Sequence, residues 1–249
     1  MSTLRYPKIT GIVGKLSDLE VDCDKDWGGH RIGNLVIGKT EGVPSEPTAE
    51  FSMSINSGTS YNASPSSEVS VTSSYVQLRT GYVGTNTRVS YALTENCNYF
   101  KIPQVVMVQN YGQSGMFLQN TIYDDDPSCR GIGIGCLWDS QCLALVYNDG
   151  GSFEALSLID SSATSYTDLE FIYRPATHEA MIASGGIVLI EYDLTNALGL
   201  ATIRALFENA TYFQLRSYGG TANYKYHRYY FPFTLERRLQ YIDIISHGV

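Results

Sequence analysis

The sequence predicts an all-β protein, in which short antiparallel strands form a sandwich or a barrel. From residue 51 onward, short runs of alternating apolar and polar residues are separated by turn residues. The sequence shows no long helical period and no internal repeat in the range of roughly 20 to 50 residues. Aromatic residues make up 12% of the chain and charged residues only 17%.

The first 48 residues differ from the rest of the chain. They contain an acidic turn with Asp22, Asp24 and Asp26, and they close with Pro44 and Pro47, which indicate a linker. Their apolar residues are too few for an independent core. We therefore expect an N-terminal oligomerisation or attachment segment with its linker over residues 1–48, and a β-domain over residues 49–249.

The first predicted strands cover residues 69–71, 74–79 and 88–93. Residues 104–108 form a more continuous apolar run, which predicts a strand buried on both faces. Residues 131–138, 142–147 and 153–159 predict three further strands, and the Asp-Gly pair at 149–150 is a strong hairpin signal between the last two.

The later elements follow from the same alternation. Strands are predicted over residues 169–174, 180–183, 187–192, 212–216 and 226–233, with a glycine turn at 185–186. A short helical turn is predicted around residues 198–207.

Residues 169–193 resemble the central part of concanavalin A-like (laminin-G type) domains. Their order of elements is a strand, a tight turn, a second strand, a Gly-Gly turn and a third strand. Residues 212–217 resemble the closing strand of those domains. The resemblance implies that residues 49–249 form an antiparallel β-sandwich of the jelly-roll, concanavalin A-like type, a lectin-like fold.

Residues 19–35 are similar to a segment common in viral tail-fibre and other virion-fibre proteins, although Gly33 stands where that family usually has Thr. In that family the segment lies where three chains meet. The resemblance implies a homotrimer in which Trp27, Ile32 and Leu35 serve oligomerisation, and contacts with other virion proteins. The alternative is an ordinary acidic, glycine-rich turn that leads into one strand.

Glycan cleavage on this fold would need two carboxylates close together. Laminarinase-like members of the fold are expected to carry them as E-x-D-x-x-E on one strand. This chain has Glu191 and Asp193 at the first two positions, but Asn196 at the third. It also lacks a G-x-S-x-G elbow and an H-E-x-x-H zinc motif. The sequence therefore predicts no catalysis, and Glu191 and Asp193 are interpreted as the polar face or exposed end of a strand.

Aromatic and amide side chains are the remaining candidates for a ligand site, because an aromatic ring can stack on a sugar and amides can bind its hydroxyls. The candidate ligand-binding residues, which lie beside hairpin turns or on one face of a late strand, are Trp138, Tyr147, Asn148, Asp149, Tyr224 and Tyr226. For the tyrosines, an aromatic core or a subunit interface is the alternative.

A cofactor is not expected from the sequence, although calcium is an open alternative. Asp124 and Asp126 belong to the densest run of carboxylates, and hard oxygen ligands suit calcium. The other interpretation of this run is a solvated turn.

The cysteines leave two alternatives open. The chain has 5 cysteines, so at least one is unpaired in a monomer. Cys129, Cys136 and Cys142 are close in sequence and could include one disulfide. Buried thiols are the favoured interpretation, since a free Cys packs as a small apolar side chain.

The charge balance excludes several partners. The formal net charge is −8, which argues against nucleic acid and against anionic membranes as partners. No apolar run is long enough to insert into a membrane, and the first residues lack the features of a signal peptide. We therefore expect synthesis in a host cytoplasm and a location on a virion surface.

The functional hypothesis is a non-enzymatic virion surface or fibre protein that binds a glycan receptor on host cells. A purely structural spike or decoration subunit without a ligand is the second hypothesis. A glycan-cleaving enzyme is the third.

Overall fold

The fold was analysed in a computed structural model of the chain. The structure describes residues 49–79, 86–107, 112–123, 126–137, 142–150, 153–160, 163, 165–219 and 226–238. The predicted segment 1–48 therefore lies outside the described residues, together with Trp27, Ile32 and Leu35.

The described residues form sixteen strands and one α-helix. In chain order the strands are β1 (Ala49–Ile55), β2 (Asn62–Ser64), β3 (Val69–Val71), β4 (Tyr75–Arg79), β5 (Asn86–Ala92), β6 (Tyr99–Met107), β7 (Gly112–Gln119), β8 (Arg130–Leu137), β9 (Cys142–Asp149), β10 (Phe153–Asp160), β11 (Ser165–Arg174), β12 (Glu179–Ser184), β13 (Ile187–Asp193), β14 (Tyr212–Gly219), β15 (Tyr226–Tyr230) and β16 (Phe233–Arg238). The helix is α1 (Leu200–Glu208), and short 3-10 turns cover Ser66–Glu68 and Leu194–Asn196.

The strands belong to two antiparallel sheets. Sheet A has nine strands in the order β13-β12-β11-β6-β15-β4-β3, with β16 paired to both β6 and β1. Sheet B has seven strands in the order β10-β9-β8-β7-β14-β5-β2. The prediction of an antiparallel β-sandwich is confirmed.

Alternation along each strand builds the core between the sheets. Phe100 of sheet A and Phe213 of sheet B are fully buried, and their ring centroids are 5.1 Å apart. Phe171 stacks on Phe100 within sheet A at 5.2 Å. These large aromatic side chains fill the space between the sheets, and burying them is the main favourable term in folding.

The predicted helical turn is present as α1. Its apolar side chains Ile203, Leu206 and Phe207 are buried against the core. Phe207 stacks on Tyr173 with 3.7 Å between ring centroids. Among the described residues, no helix is long and apolar enough to cross a membrane.

One strand differs from the expectation. The run at residues 104–108 was expected to be buried on both faces, but within it Val105 is buried, whereas Gln104 is exposed and Val106 half-buried. The reason is that the outer face of sheet A carries a polar network, in which Lys101 lies 3.1 Å from Asp168 and 3.6 Å from Glu170.

Candidate functional site

One row of residues crosses five strands of sheet B in register. From β14 to β10 it consists of Tyr212, Gln119, Gly131, Asn148 and Phe153. The row lies on the outer face of the sheet, because the residues next to it along each strand point into the core. Gly131 has no side chain, and the Gln119 side chain takes that space, with its Cβ atom 2.8 Å from the position that a Cβ atom on Gly131 would take.

Glycine is required along this face of β8. A Cβ atom at Gly133 would collide with the carbonyl oxygen of Met116, and one at Gly135 would lie 2.7 Å from Cγ2 of Val146. The alternating glycines therefore allow the neighbouring strands and their side chains to close over β8.

Three fully buried amide side chains lie on this face of sheet B, and we call Gln119, Asn148 and Gln214 the amide cluster. Gln119 donates from Nε2 to the carbonyl oxygen of Thr121 at 2.5 Å. Gln214 donates from Nε2 to Oγ of Ser90 at 2.9 Å and to the carbonyl oxygen of Ile122 at 3.2 Å.

The segment 120–123 lies over the amide cluster, and we call it the strap. Its carbonyl oxygens accept the amide bonds of Gln119 and Gln214. Tyr123 is 52% exposed, and the Arg88 guanidinium lies 5.0 Å from its ring centroid. Backbone carbonyls and a cation–π contact therefore hold the strap on sheet B.

A second set of polar side chains lies where β9 ends and β10 begins. The Tyr147 hydroxyl donates to Oε2 of Glu154 at 2.9 Å, and Nε of Arg130 lies 2.5 Å from Oδ1 of Asp149. Burial raises the pKa of Tyr147, and the hydrogen bond to Glu154 and the negative charges of Glu154 and Asp149 raise it further. Both carboxylates therefore lie close to the tyrosine, and we call Arg130, Tyr147, Asp149 and Glu154 the Tyr147 cluster.

Arg130 fixes the position of Asp149. Besides the ion pair, its Nη1 donates to the carbonyl oxygens of Cys129 at 2.8 Å and Pro127 at 3.2 Å. Its backbone N–H donates to Oδ1 of Asn120 at 2.7 Å. These bonds connect the Tyr147 cluster to the start of the strap.

Three of the predicted ligand residues lie at the end of β9, where the alternation of the strand places Asn148 on the outer face of sheet B and Tyr147 and Asp149 on the opposite face. Asn148 belongs to the amide cluster, whereas Tyr147 and Asp149 belong to the Tyr147 cluster. Tyr226 lies on β15 of sheet A, apart from them. Trp138 and Tyr224 lie outside the described residues. A ligand role for these residues stays a prediction.

Four residues of these clusters were not singled out from the sequence. Gln119 and Gln214 are polar residues inside apolar strands, which is a detectable signal, but their proximity depends on the pairing of β7 with β14. Glu154 lies opposite Tyr147, and the Asp-Gly hairpin could have suggested this pairing. Nothing in the sequence around Arg130 indicated a site residue, apart from its position directly before the alternating glycines of β8.

Residues 191–196, on which the prediction of no catalysis rests, do not form one strand. β13 ends at Asp193, and a 3-10 turn follows over Leu194–Asn196. Asp193 accepts bonds from the backbone nitrogen and Oγ1 of Thr195, at 2.9 and 2.6 Å. Asn196 therefore does not continue the strand face of Glu191 and Asp193, and its identity gives no information about catalysis.

Asp126 is the one of the two calcium candidates that the structure describes. Asp126 accepts two bonds of 2.7 Å from the hydroxyl and backbone nitrogen of Ser128, which lower its pKa. Asp124 lies outside the described residues. In the part of the chain that the structure describes, no group of three or more His, Cys, Asp or Glu side chains is arranged to hold a metal ion.

Comparison with known proteins gives matches among solved structures. No family model matches the chain, and no curated protein matches it. The Bacillus licheniformis β-glucanase is 11% identical with a TM-score of 0.54, and the match covers 75% of this chain and 97% of the enzyme. A prokaryotic β-1,3-1,4-glucanase (lichenase) from a mouse hindgut metagenome is 9% identical with a TM-score of 0.53, covering 76% and 99%.

A third match comes from a structural study of endo-acting O-glycanases that members of the human gut microbiota express to initiate mucin breakdown. It is 8% identical with a TM-score of 0.53, and it covers 78% of this chain and 100% of that protein. The sandwich is a concanavalin A-like jelly roll. At these identities the likeness shows the fold alone.

These matches correct the functional expectation. The similar structures are described as glucanases and O-glycanases, so they point to glycan cleavage, the third of the hypotheses. The hypothesis of a non-enzymatic fibre protein and the prediction of no catalysis are wrong. The error has a physical cause, because Asn196 was assigned to a strand that ends at Asp193.

Proposed function

We propose that the sandwich domain cleaves glycosidic bonds in a glycan. The observation that carries the proposal is the Tyr147 cluster, in which the carboxylates of Asp149 and Glu154 both lie close to one tyrosine. Glycosidases commonly use a pair of carboxyl groups separated by about 5 to 9.5 Å. The shared jelly roll of the glycan-cleaving proteins supports the same function.

The two carboxylates have different neighbours, which suits different roles. Asp149 is held in place by the Arg130 guanidinium, and it is the candidate for the base or nucleophile. Glu154 accepts a bond from the neutral Tyr147 hydroxyl, and it is the candidate for the acid that protonates the leaving oxygen.

The amide cluster is a candidate for holding the glycan. Strands β5, β7, β8 and β14, as the structure describes them, contain no Asp or Glu, and β9 contains only Asp149. The outer face of sheet B can therefore bind sugar hydroxyls through amides, whereas acid–base chemistry belongs to the strand ends at the Tyr147 cluster.

Kinetics of two carboxamide variants test this function. We expect Asp149→Asn and Glu154→Gln each to lower kcat/KM for β-1,3-1,4-glucan or mucin O-glycans by about 100-fold or more. Glu191→Gln is the matched control, since Glu191 lies on sheet A beside Arg174, and it should leave turnover unchanged. Full activity in both site variants would overturn the assignment.

We further propose that residues 19–35 join three copies of the chain and attach them to other virion proteins. The resemblance of this segment to virion-fibre proteins supports this proposal. The sandwich would then be the glycan-cleaving part of a virion surface fibre. Light scattering of the full chain should give the mass of a trimer, and Ile32→Asp should reduce it to that of a monomer. A full chain that is monomeric at micromolar concentration contradicts the proposal.

A further inference from the structure

The amide cluster leaves two hydrogen-bond acceptors unused. Gln119 and Gln214 are fully buried, and within the described residues neither Oε1 atom has a hydrogen-bond partner. A buried acceptor without a donor is costly and rare in native proteins. Each oxygen therefore requires a donor, such as a water or a ligand hydroxyl.

The orientation of the two amides follows from their neighbours. Both Nε2 atoms donate to strap carbonyls, those of Thr121 and Ile122. Rotating either amide by half a turn would place its oxygen against a carbonyl oxygen, two acceptors facing each other. The Oε1 atoms are therefore the ones left without a donor.

The unused oxygen of Gln119 lies over Gly131. Oε1 lies 3.4 Å from the position that a Cβ atom on Gly131 would take. Gly131 is also the residue that separates Gln119 from Asn148 in the row across sheet B. The Gln119 side chain therefore covers Gly131, and the strap accepts a bond from that side chain.

Asn120 anchors the start of the strap through four hydrogen bonds, two with the backbone of Arg130, one to the Ser128 carbonyl oxygen and one from Oγ1 of Thr211. Residues 121–123 have fewer contacts. They are the two amide bonds, the Arg88–Tyr123 cation–π contact, a bond of 3.3 Å from the Asp126 backbone nitrogen to the Tyr123 carbonyl oxygen, and a bond within the strap from the Tyr123 backbone nitrogen to Oγ1 of Thr121. The Tyr123 side chain is largely exposed. Displacing the strap would free both amide nitrogens as donors and expose both oxygens as acceptors.

We propose that residues 121–123 of the strap form a displaceable lid over a glycan subsite, in which Gln119 and Gln214 bind the hydroxyls of one sugar ring beside Gly131. The inference rests on the proposed function, since it assigns a subsite and its regulation to the same glycan. A sugar ring replaces the strap carbonyls as acceptors of the amide hydrogens, and its hydroxyls supply donors for the amide oxygens. The strap and the glycan therefore compete for the same amides.

Glycan binding and hydrogen exchange test the lid together, on the full chain with β-1,3-1,4-glucan oligosaccharides and mucin O-glycans as probes. Glycan should increase the exchange of the strap amides. Tyr123→Ala should strengthen binding by a few-fold, because it loosens the closed state. Gln119→Leu and Gln214→Leu should each weaken binding by about tenfold.

The control is Gln77→Leu, which removes an amide that bonds Nε of Arg228 on sheet A and should leave binding unchanged. The lid is overturned if glycan binds without changing hydrogen exchange of the strap amides and if both site variants bind glycan as tightly as the unaltered protein. In that case the proposed function still stands. Failure of the unaltered protein to bind or cleave either class of glycan overturns both.

Discussion

Glu154 accepts a hydrogen bond of 2.9 Å from the hydroxyl of Tyr147, directly across the β9–β10 hairpin. The residues are opposite each other because the turn at Gly150, where φ is +113°, sets the register of the two strands. The turn therefore places the Glu154 carboxylate at Tyr147. Arg130, on the neighbouring strand β8, positions the Asp149 carboxylate.

Tyr147→Phe removes the donor to Glu154 but keeps the ring. Because this bond is exposed, we expect the free energy of unfolding to fall by no more than about 1 kcal/mol. Glycan turnover should fall by about tenfold, since the acid loses its positioning partner. Urea denaturation and initial rates measure the two effects. A large loss of stability would show that Tyr147 has a structural role. Unchanged turnover would show that Tyr147 does not take part in catalysis.

Gly133→Ala tests the packing over β8. The added Cβ atom would overlap the carbonyl oxygen of Met116, and backbone cannot move aside as a flexible side chain can. We expect a loss of about 1–3 kcal/mol in the free energy of unfolding. The matched control is Gly199→Ala, whose Cβ would meet nothing within 4 Å, with an expected loss below about 1 kcal/mol. Equal effects would contradict the packing account.

His227 predicts a pH dependence of stability. Burial lowers its pKa to about 4, and within the described residues neither ring nitrogen has a hydrogen-bond partner. An unfolded chain takes up this proton near pH 6.5. Between these values the unfolded state binds more protons, so acidification destabilises the fold, by about 3 kcal/mol once pH is below 4.

His227→Leu should remove this contribution. Denaturation curves collected from pH 7 to pH 4 should show a steeper loss of stability in the unaltered protein than in the variant. The comparison isolates His227 from the carboxyl groups that titrate in the same range, because both proteins share them. The same slope in both proteins would show that His227 is not responsible.

Cys97 should resist alkylation in the folded protein. Burial raises the pKa of its thiol to about 12, so almost no thiolate is present at pH 8. Peptide mass spectrometry after iodoacetamide treatment should find Cys97 unmodified in the native chain and modified after unfolding in urea. Rapid labelling of the native protein would contradict the burial of this residue.

Local patterns predicted much of the fold. The β9–β10 hairpin followed from an Asp-Gly turn between alternating runs, and α1 followed from the helical spacing of its buried residues. Such signals depend on a few neighbouring residues, so sequence alone contains them. The prediction that residues 104–108 are buried on both faces was wrong, because an apolar run does not show whether other residues cover the outer face of the sheet.

The candidate site depends on contacts that no local pattern reveals. Gln119 and Gln214 are far apart in sequence and lie on the same face of adjacent strands only because β7 pairs with β14. The strand carrying Glu191 ends earlier than its alternation suggests, because the Asp193 side chain caps a 3-10 turn. That end point invalidated the comparison with E-x-D-x-x-E and, with it, the prediction of no catalysis.

Cleavage in heavy-oxygen water tests the central claim most directly. The full chain is incubated with β-1,3-1,4-glucan or mucin O-glycans in H₂¹⁸O, and the products are analysed by mass spectrometry beside the Asp149→Asn/Glu154→Gln double variant. We expect shorter oligosaccharides that carry one heavy oxygen at the new reducing end, and none from the double variant. Intact substrate after incubation with the unaltered protein, or the same labelled fragments from the double variant, would contradict the account.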